Sequence, residues 1–260
     1  MNVKYEGKII EISEGISGRE LADQFNLREP HQALALLVNG KAVDLTTPLH
    51  HGDEVAFLHF DDKLGKEIFW HTSSHILAQA VLRLYPNAKP TIGPAIENGF
   101  YYDFANLELS EDDFKTIEKE VQKIIKENHR PLRKLFKNRE EALEAFKVNP
   151  YKSELIQGFE EGEFTAYQQG EFFDLCRGPH LPSLGKVKAF KIMKTSGAYW
   201  RGDSNREMLT RLYGISFPSK EELQASITQL EESKKRDHRL IGQKLDLYSF
   251  HEESPGIPFF

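Results

Sequence analysis

The sequence predicts an α+β chain: a small strand-rich module, then a larger mixed domain, then a charged helix. Three observations lead there. Short alternating runs fill the first sixty positions around one helix signal. Beyond a polar joint, amphipathic helix patterns alternate with aromatic strand patterns. After residue 218 the pattern becomes a single charged helix.

Taken in order, residues 3–5, 9–12, 33–38, 41–43 and 55–60 read as strands, with Asn39-Gly40 as a two-residue hairpin turn. Ser17-Gly18-Arg19-Glu20 has the spacing of a capping box and opens a short helix through Leu21 and Phe25. Hairpin, helix and further strands in this order spell a β-grasp (ubiquitin-like) module. His31, His50, His51 and His59 fall inside it without an acid or cysteine partner at useful spacing, so they read as loop or surface histidines.

Residues 61–66 form a polar joint, and 67–85 read as a helix, with Ile68, Leu77, Val81 and Leu84 apolar and Pro86 as the stop. Residues 91–104 join a Gly93-Pro94 turn to an aromatic strand. Ser110 caps an amphipathic helix through Phe114, Ile117, Val121 and Ile124. Asn138 caps another through Leu143 and Phe146, which ends near Asn149-Pro150 and leaves Tyr151 and Lys152 at a junction. Strands return from Phe164, one of them at 172–176, then at 190–193 and 197–200. Ser219 caps the last helix, with Leu223, Ile227 and Leu230 apolar, which runs past Lys234 to Arg239. The expected division is 1–61, 62–218, 219–243 and 244–260, and the apolar finish at Phe259-Phe260 reads as the front of something longer.

Composition narrows the function. With 39% hydrophobic residues over 260 positions the chain can build real cores, and no run approaches the ~18 apolar residues of a membrane span. There is no signal-peptide core at the start, and a single cysteine excludes an internal disulfide framework, which fits a reducing, cytoplasmic setting. The net charge of -6 argues against a protein that coats nucleic acid. The charge is uneven, however. Residues 1–61 hold five Lys/Arg against ten Asp/Glu, whereas 130–139 hold five basic residues and no acid, and 186–211 hold seven against two. A polyanion is therefore expected to meet the second part of the chain, not the first.

The chemistry concentrates in two short motifs. His71 and His75 stand at i and i+4, so on a helix both imidazoles leave one face. Cys176 and His180 repeat the spacing across the Arg177-Gly178-Pro179 turn, and Asp174 shares a strand face with Cys176. Three histidines and a cysteine could ligate a metal, or position a water and an ester without one.

His71-Thr72-Ser73-Ser74-His75, the 99–104 stretch Gly-Phe-Tyr-Tyr-Asp-Phe, the 174–180 stretch Asp-Leu-Cys-Arg-Gly-Pro-His, the 198–203 stretch Ala-Tyr-Trp-Arg-Gly-Asp and residues 247–255 together resemble the amino-terminal half of bacterial threonyl-tRNA synthetases. The resemblance implies a TGS domain, a tRNA-editing domain, a linker helix and the opening of a class II aminoacylation core. It implies hydrolysis of mischarged seryl-tRNA(Thr) without a metal or other cofactor. ATP, magnesium and zinc would belong to the core that lies outside these residues. A second site is needed because serine lacks only one methyl of threonine, and a pocket rejects the smaller side chain by only ~1–3 kcal/mol. By resemblance His71 and Lys152 would hold and polarise the water. His75, Asp174, Cys176, His180 and Tyr102 would bind the seryl ester. Arg177, Lys186, Lys188 and the basic residues up to Arg211 are expected to face phosphates on charge alone. The family is homodimeric through the absent core, so these residues alone are expected to be monomeric. Two other readings stand beside this one. A related alanyl editing domain resembles this one with zinc on the same four positions, which suggests a zinc-dependent free-standing aminoacyl-tRNA hydrolase. The other is a tRNA-binding module without catalysis.

Overall fold

Apolar residues that alternate along the first sixty positions pair into a five-stranded mixed sheet. Its strands are β1 (Asn2–Tyr5), β2 (Lys8–Glu11), β3 (Ala35–Val38), β4 (Lys41–Val43) and β5 (Glu54–Leu58), in the order β2-β1-β5-β3-β4. Only β1 and β5 run parallel. Helix α1 (Gly18–Gln24) begins with the expected capping box, Ser17 accepting from Glu20 N–H while Glu20 accepts from Ser17 N–H. Val3, Leu21, Leu36, Val55 and Phe57 close a core between this helix and the sheet. Asn39 and Gly40 both take positive φ, as a tight hairpin between β3 and β4 requires. This is the β-grasp order.

The structure is a computed structural model, and it describes residues 1–27, 32–160 and 162–236, with the backbone of 249–250 and 258–259; of residue 234 the backbone alone is described. It divides into two compact units, Met1–Pro218 and Ser219–Phe260.

The larger domain is organised around α2 (Lys63–Leu84), a 22-residue helix buried from Ile68 through Val81 almost without a break. Around it stand β6 (Lys89–Pro90), β7 (Ala95–Ile96), β8 (Gly99–Ala105), α3 (Phe114–Glu127), β9 (Leu132–Phe136), α4 (Arg139–Phe146), α5 (Pro150–Gly158), β10 (Phe164–Gln169), β11 (Phe172–Leu175), β12 (Ala189–Tyr199) and β13 (Met208–Phe217). Strands β12-β13-β8-β6 form one antiparallel sheet with β7 on β8, and β11-β10-β9 form another. Leu34, Ala35 and Leu58 of the first module join Phe69, Leu77, Phe104 and Ile124 in one core, so the two halves of this unit share packing. In the second unit α6 (Lys220–Lys235) is followed by a two-residue pairing of Ser249–Phe250 with Pro258–Phe259. Among the described residues no helix is long and apolar enough to cross a membrane.

Several sequence expectations change. Residues 63–66 of the polar joint already belong to α2, which starts at Lys63 after Asp62 in the extended N-cap conformation. Residues 150–152 are not a junction: Asn149 accepts from Tyr151 N–H and Lys152 N–H, Pro150 sits at the first helical position, and a new helix begins. The two runs at 190–193 and 197–200 are one strand, β12, with an irregularity between Ile192 and Lys194, and Trp200 has left it for a single turn. Strands β9 and β13 lack apolar alternation strong enough to be read, and their pairing partners supply the order. Of the four amino-terminal histidines, His50 Nδ1 lies 3.8 Å from Asp53, an acid partner that the spacing did not suggest. His51 accepts from Asn2 N–H, and His59 bonds the Gln32 carbonyl; His31 lies outside the described residues, as do 237–248 of the expected helix and core opening.

Candidate active site

A polar helix face in a core must satisfy itself, and α2 does so locally. Thr72 and Ser73 donate to the carbonyls of Ile68 and Phe69, four residues back, at 2.9 Å each. Ser74 donates to the carbonyls of His71 and Gly93. Trp70 donates to the Ser216 carbonyl at 3.0 Å, and Leu181 N–H donates to the Thr72 hydroxyl at 3.0 Å. These bonds lock the helix against β13 and against the segment after the Gly178-Pro179 turn.

The lock brings the two motifs together. Cys176 Sγ lies 3.2 Å from His71 Nε2 and 3.0 Å from His180 Nε2, and also accepts from Gly178 N–H at 3.2 Å. The three imidazole centroids are 4.6 to 4.8 Å apart. Burial, followed by the neighbouring imidazoles, holds His75 and His180 well below the ordinary histidine range, and burial lowers His71 as well. Burial pushes the Cys176 thiol up. At neutral pH the group is therefore three neutral rings and a protonated thiol.

Next to it lies a charged pair. Lys152 Nζ is 2.5 Å from Asp174 Oδ1, and the two side chains are 3% and 2% exposed. Tyr102 donates to Asp174 Oδ2 at 2.5 Å, Leu175 N–H donates to Oδ1, and Lys152 also reaches the Tyr102 oxygen at 3.2 Å. His75 Nε2 stands 3.7 Å from Asp174, but its neutral ring makes this a polar contact and not an ion pair. The Tyr102 ring is fitted against the backbone of Gly93: a Cβ added there would fall 2.1 Å from Tyr102 Cδ2. Gly93→Ala is expected to push Tyr102 off Asp174 and cost about 1–3 kcal/mol in unfolding free energy. An unfolding midpoint equal to that of the parent chain would show that the ring has room to move.

His71, His75, Lys152, Asp174 and Cys176 line a cavity of about 1340 Å³, with Trp70, Gly93 and Pro94 among its other walls and Ala42 contributed by β4. The four donors of His71, His75, Cys176 and His180 lie within 4.8 Å of one another, so the set could hold a metal ion. Tetrahedral zinc at about 2.0–2.3 Å from each ligand would hold sulfur and nitrogen roughly 3.5 Å apart. The 3.0 and 3.2 Å separations here are those of a hydrogen-bonded thiol, and a metal would have to spread them.

Two family models match the chain. Residues 165–213 match the threonyl and alanyl tRNA synthetase second additional domain, and residues 3–60 match the ThiS family. The chain is 60% identical over 250 residues to the threonine–tRNA ligase of Protochlamydia amoebophila, covering 96% of this chain and 38% of that protein. It is 54% identical over 261 residues to that of Chlamydia pneumoniae, covering 100% and 41%, and 49% identical over 255 residues to that of Desulfatibacillum aliphaticivorans, covering 98% and 40%. Over nearly its whole length the chain is therefore similar to threonine–tRNA ligases. It spans about two fifths of the length of the curated relatives it matches.

In the structure the expected site residues fall in two layers. His71, His75, Lys152, Asp174 and Cys176 face the cavity, while His180 and Tyr102 stand behind them, 1% and 0% exposed. Arg177 is exposed at the rim, its guanidinium 5.2 Å from the Phe159 ring. Lys186 and Lys188 are not among the cavity walls, and Lys186 reaches Gln32 in the first module. Of the basic residues up to Arg211, Arg206 pairs with Glu154 and Arg211 with Asp103 through two bonds each, and Arg201 lies 3.4 Å from Glu154. Counting charge along the sequence cannot reveal such pairing, because the acids come from distant elements. Sequence reasoning also missed Tyr167 and Asp44, which pack behind His180 with no local signal.

Proposed function

We propose that this chain removes serine from mischarged tRNA(Thr), hydrolysing the ester in the cavity beside α2. The observation that supports it best is one cavity lined by both a neutral imidazole, His71, and a buried ammonium, Lys152, held by Asp174. A neutral imidazole can accept the proton of an attacking water, and a fixed ammonium can hold that water or stabilise the oxyanion. The water oxygen bonds to the ester carbonyl carbon, its proton passes to the base, and the carbon–oxygen bond to the terminal ribose breaks as the ribose oxygen takes a proton. Serine and free tRNA(Thr) leave. His75, Cys176 and Asp174 shape the amino-acid end, with His180 and Tyr102 holding them, and Arg177 meets the tRNA. On this reading residues 1–61 are a TGS module, 62–218 the editing domain, 219–243 a linker helix and 244–260 the start of a synthetase core. Attachment of threonine is the activity for which the relatives are named, and the share proposed for these residues is correction.

The test is ester loss from seryl-tRNA(Thr) and threonyl-tRNA(Thr) with metal-stripped protein in chelator. Loss of the seryl ester alone is expected, and His71→Ala should slow it roughly 10²- to 10⁴-fold. The close set of four donors supports a second reading, in which hydrolysis returns only with added zinc. Activity in neither condition would leave a tRNA-binding module and overturn the proposal.

A further inference from the structure

The imidazole of His180 lacks the usual means of fixing its orientation. A working histidine is commonly aimed by a hydrogen bond on its second ring nitrogen. In His180 the Nε2 faces Cys176, but the Nδ1 is buried without a hydrogen-bond partner among the described residues. What aims the ring instead comes from the first sixty residues.

We propose that Asp44, just beyond β4 in the β-grasp module, is a positioning residue for His180 and, through it, for the Cys176 thiol. Its Oδ1 accepts from His180 N–H at 2.9 Å, which fixes the backbone. Its Oδ2 accepts from the Tyr167 hydroxyl at 2.5 Å, and the Tyr167 ring lies on the His180 imidazole, centroids 4.3 Å apart at 37°. One carboxylate thus sets both the main chain and the ring plane of a residue that is 1% exposed. Tyr167 also braces the turn before His180: a Cβ added at Gly178 would fall 2.2 Å from the Tyr167 hydroxyl. Across the sheet Tyr167 is the direct partner of Asp174, so the same β10 residue stands between the clasp and the Lys152 pair. The amino-terminal module, which supplies no group to the chemistry, completes the site from behind.

This inference rests on the hydrolytic reading above, and the test separates the two. Asp44→Ala removes both bonds. Asp44→Asn keeps an oxygen for His180 N–H and turns an amide toward the Tyr167 oxygen. Each variant is made in the whole 260-residue chain and assayed for seryl-tRNA(Thr) deacylation, and the His180 ring nitrogens are followed by ¹⁵N NMR. Asp44→Ala is expected to lower the rate at saturating substrate roughly 10- to 100-fold, the range found when a ligand's orienting partner is lost, with KM little changed. Its His180 ring signals should shift or broaden. Asp44→Asn should restore most of the rate and the parent signals, which a general loss of stability would not explain. An Asp44→Ala protein with parent rate and parent His180 signals overturns the proposal. If the parent chain itself has no deacylase activity, the hydrolytic reading fails, and the ring signals alone decide whether Asp44 positions His180. Should Asp44→Ala not fold, Tyr167→Phe removes the same anchor from the ring side; it is expected to give an intermediate rate and shift, and no change in either overturns the clasp.

Discussion

Lys152→Met is expected to be the most damaging single substitution in the chain, costing roughly 3–5 kcal/mol of unfolding free energy together with the proposed deacylase activity. The lysine is a buried cation 2.5 Å from a buried carboxylate, and methionine of similar length leaves Asp174 enclosed without its cation, with Tyr102 and Leu175 N–H still donating to it. A second substitution separates the two losses. In Lys152→Met with Asp174→Leu no lone charge remains, so most of the stability should return while activity stays absent. Denaturant unfolding of the single and double variants measures both effects. A single variant as stable as the parent would mean that the ammonium is not paired in solution.

Stability should also fall as the pH drops below about 6.5, well before most carboxylates titrate. Burial depresses the folded-state affinity of His71, His75 and His180 for protons, whereas the unfolded chain binds them at ordinary values. Between those limits the unfolded state holds more protons, so the stabilisation is complete above about 6.5 and is lost toward the folded values. If all three rings stay neutral, the loss from pH 6.5 to 5.5 is about 3 kcal/mol, near 1 kcal/mol per ring. Protonation would also place an N–H on the Nδ1 of His75 and of His180, where no acceptor waits among the described residues. Glu154 and Glu171, held at about 2 by hydrogen bonds from Arg206 and Arg83, act only in a lower window, between about 4.5 and 2. Unfolding midpoints in chelator from pH 7.5 to 5.5 test this, and a flat profile would show that the rings titrate normally.

The reach of the sequence can be judged on particular residues. His71 and His75 were legible because a helix repeats every 3.6 residues, and Asp174 and Cys176 because a strand repeats every two. The β-grasp module was legible because its turns and its capping box are local. Lys152 entered only through the family resemblance, although Asn149-Pro150 before it is a helix start that propensity rules can find. Asp44 could not be found in this way: its partners lie 123 and 136 residues away, and an aspartate at the end of a hairpin strand is an ordinary loop residue until the sheets are placed. The pairing of the basic stretch up to Arg211 is hidden for the same reason, since Asp103 bonds Arg211 across 108 residues.

The bonds that lock α2 also determine when the cavity can exist during synthesis. Thr72 waits for Leu181, His71 for Cys176, and Trp70 for a carbonyl at Ser216. A ribosome that has made the helix has therefore released only half of each contact, and the cavity lacks Lys152, Asp174 and Cys176 from its walls until those residues emerge. Contacts this far apart in sequence form late and together, because loop closure must precede any gain from them. The nascent chain should pass from a folded amino-terminal module to a complete cavity in one cooperative step, without a half-built pocket on the way.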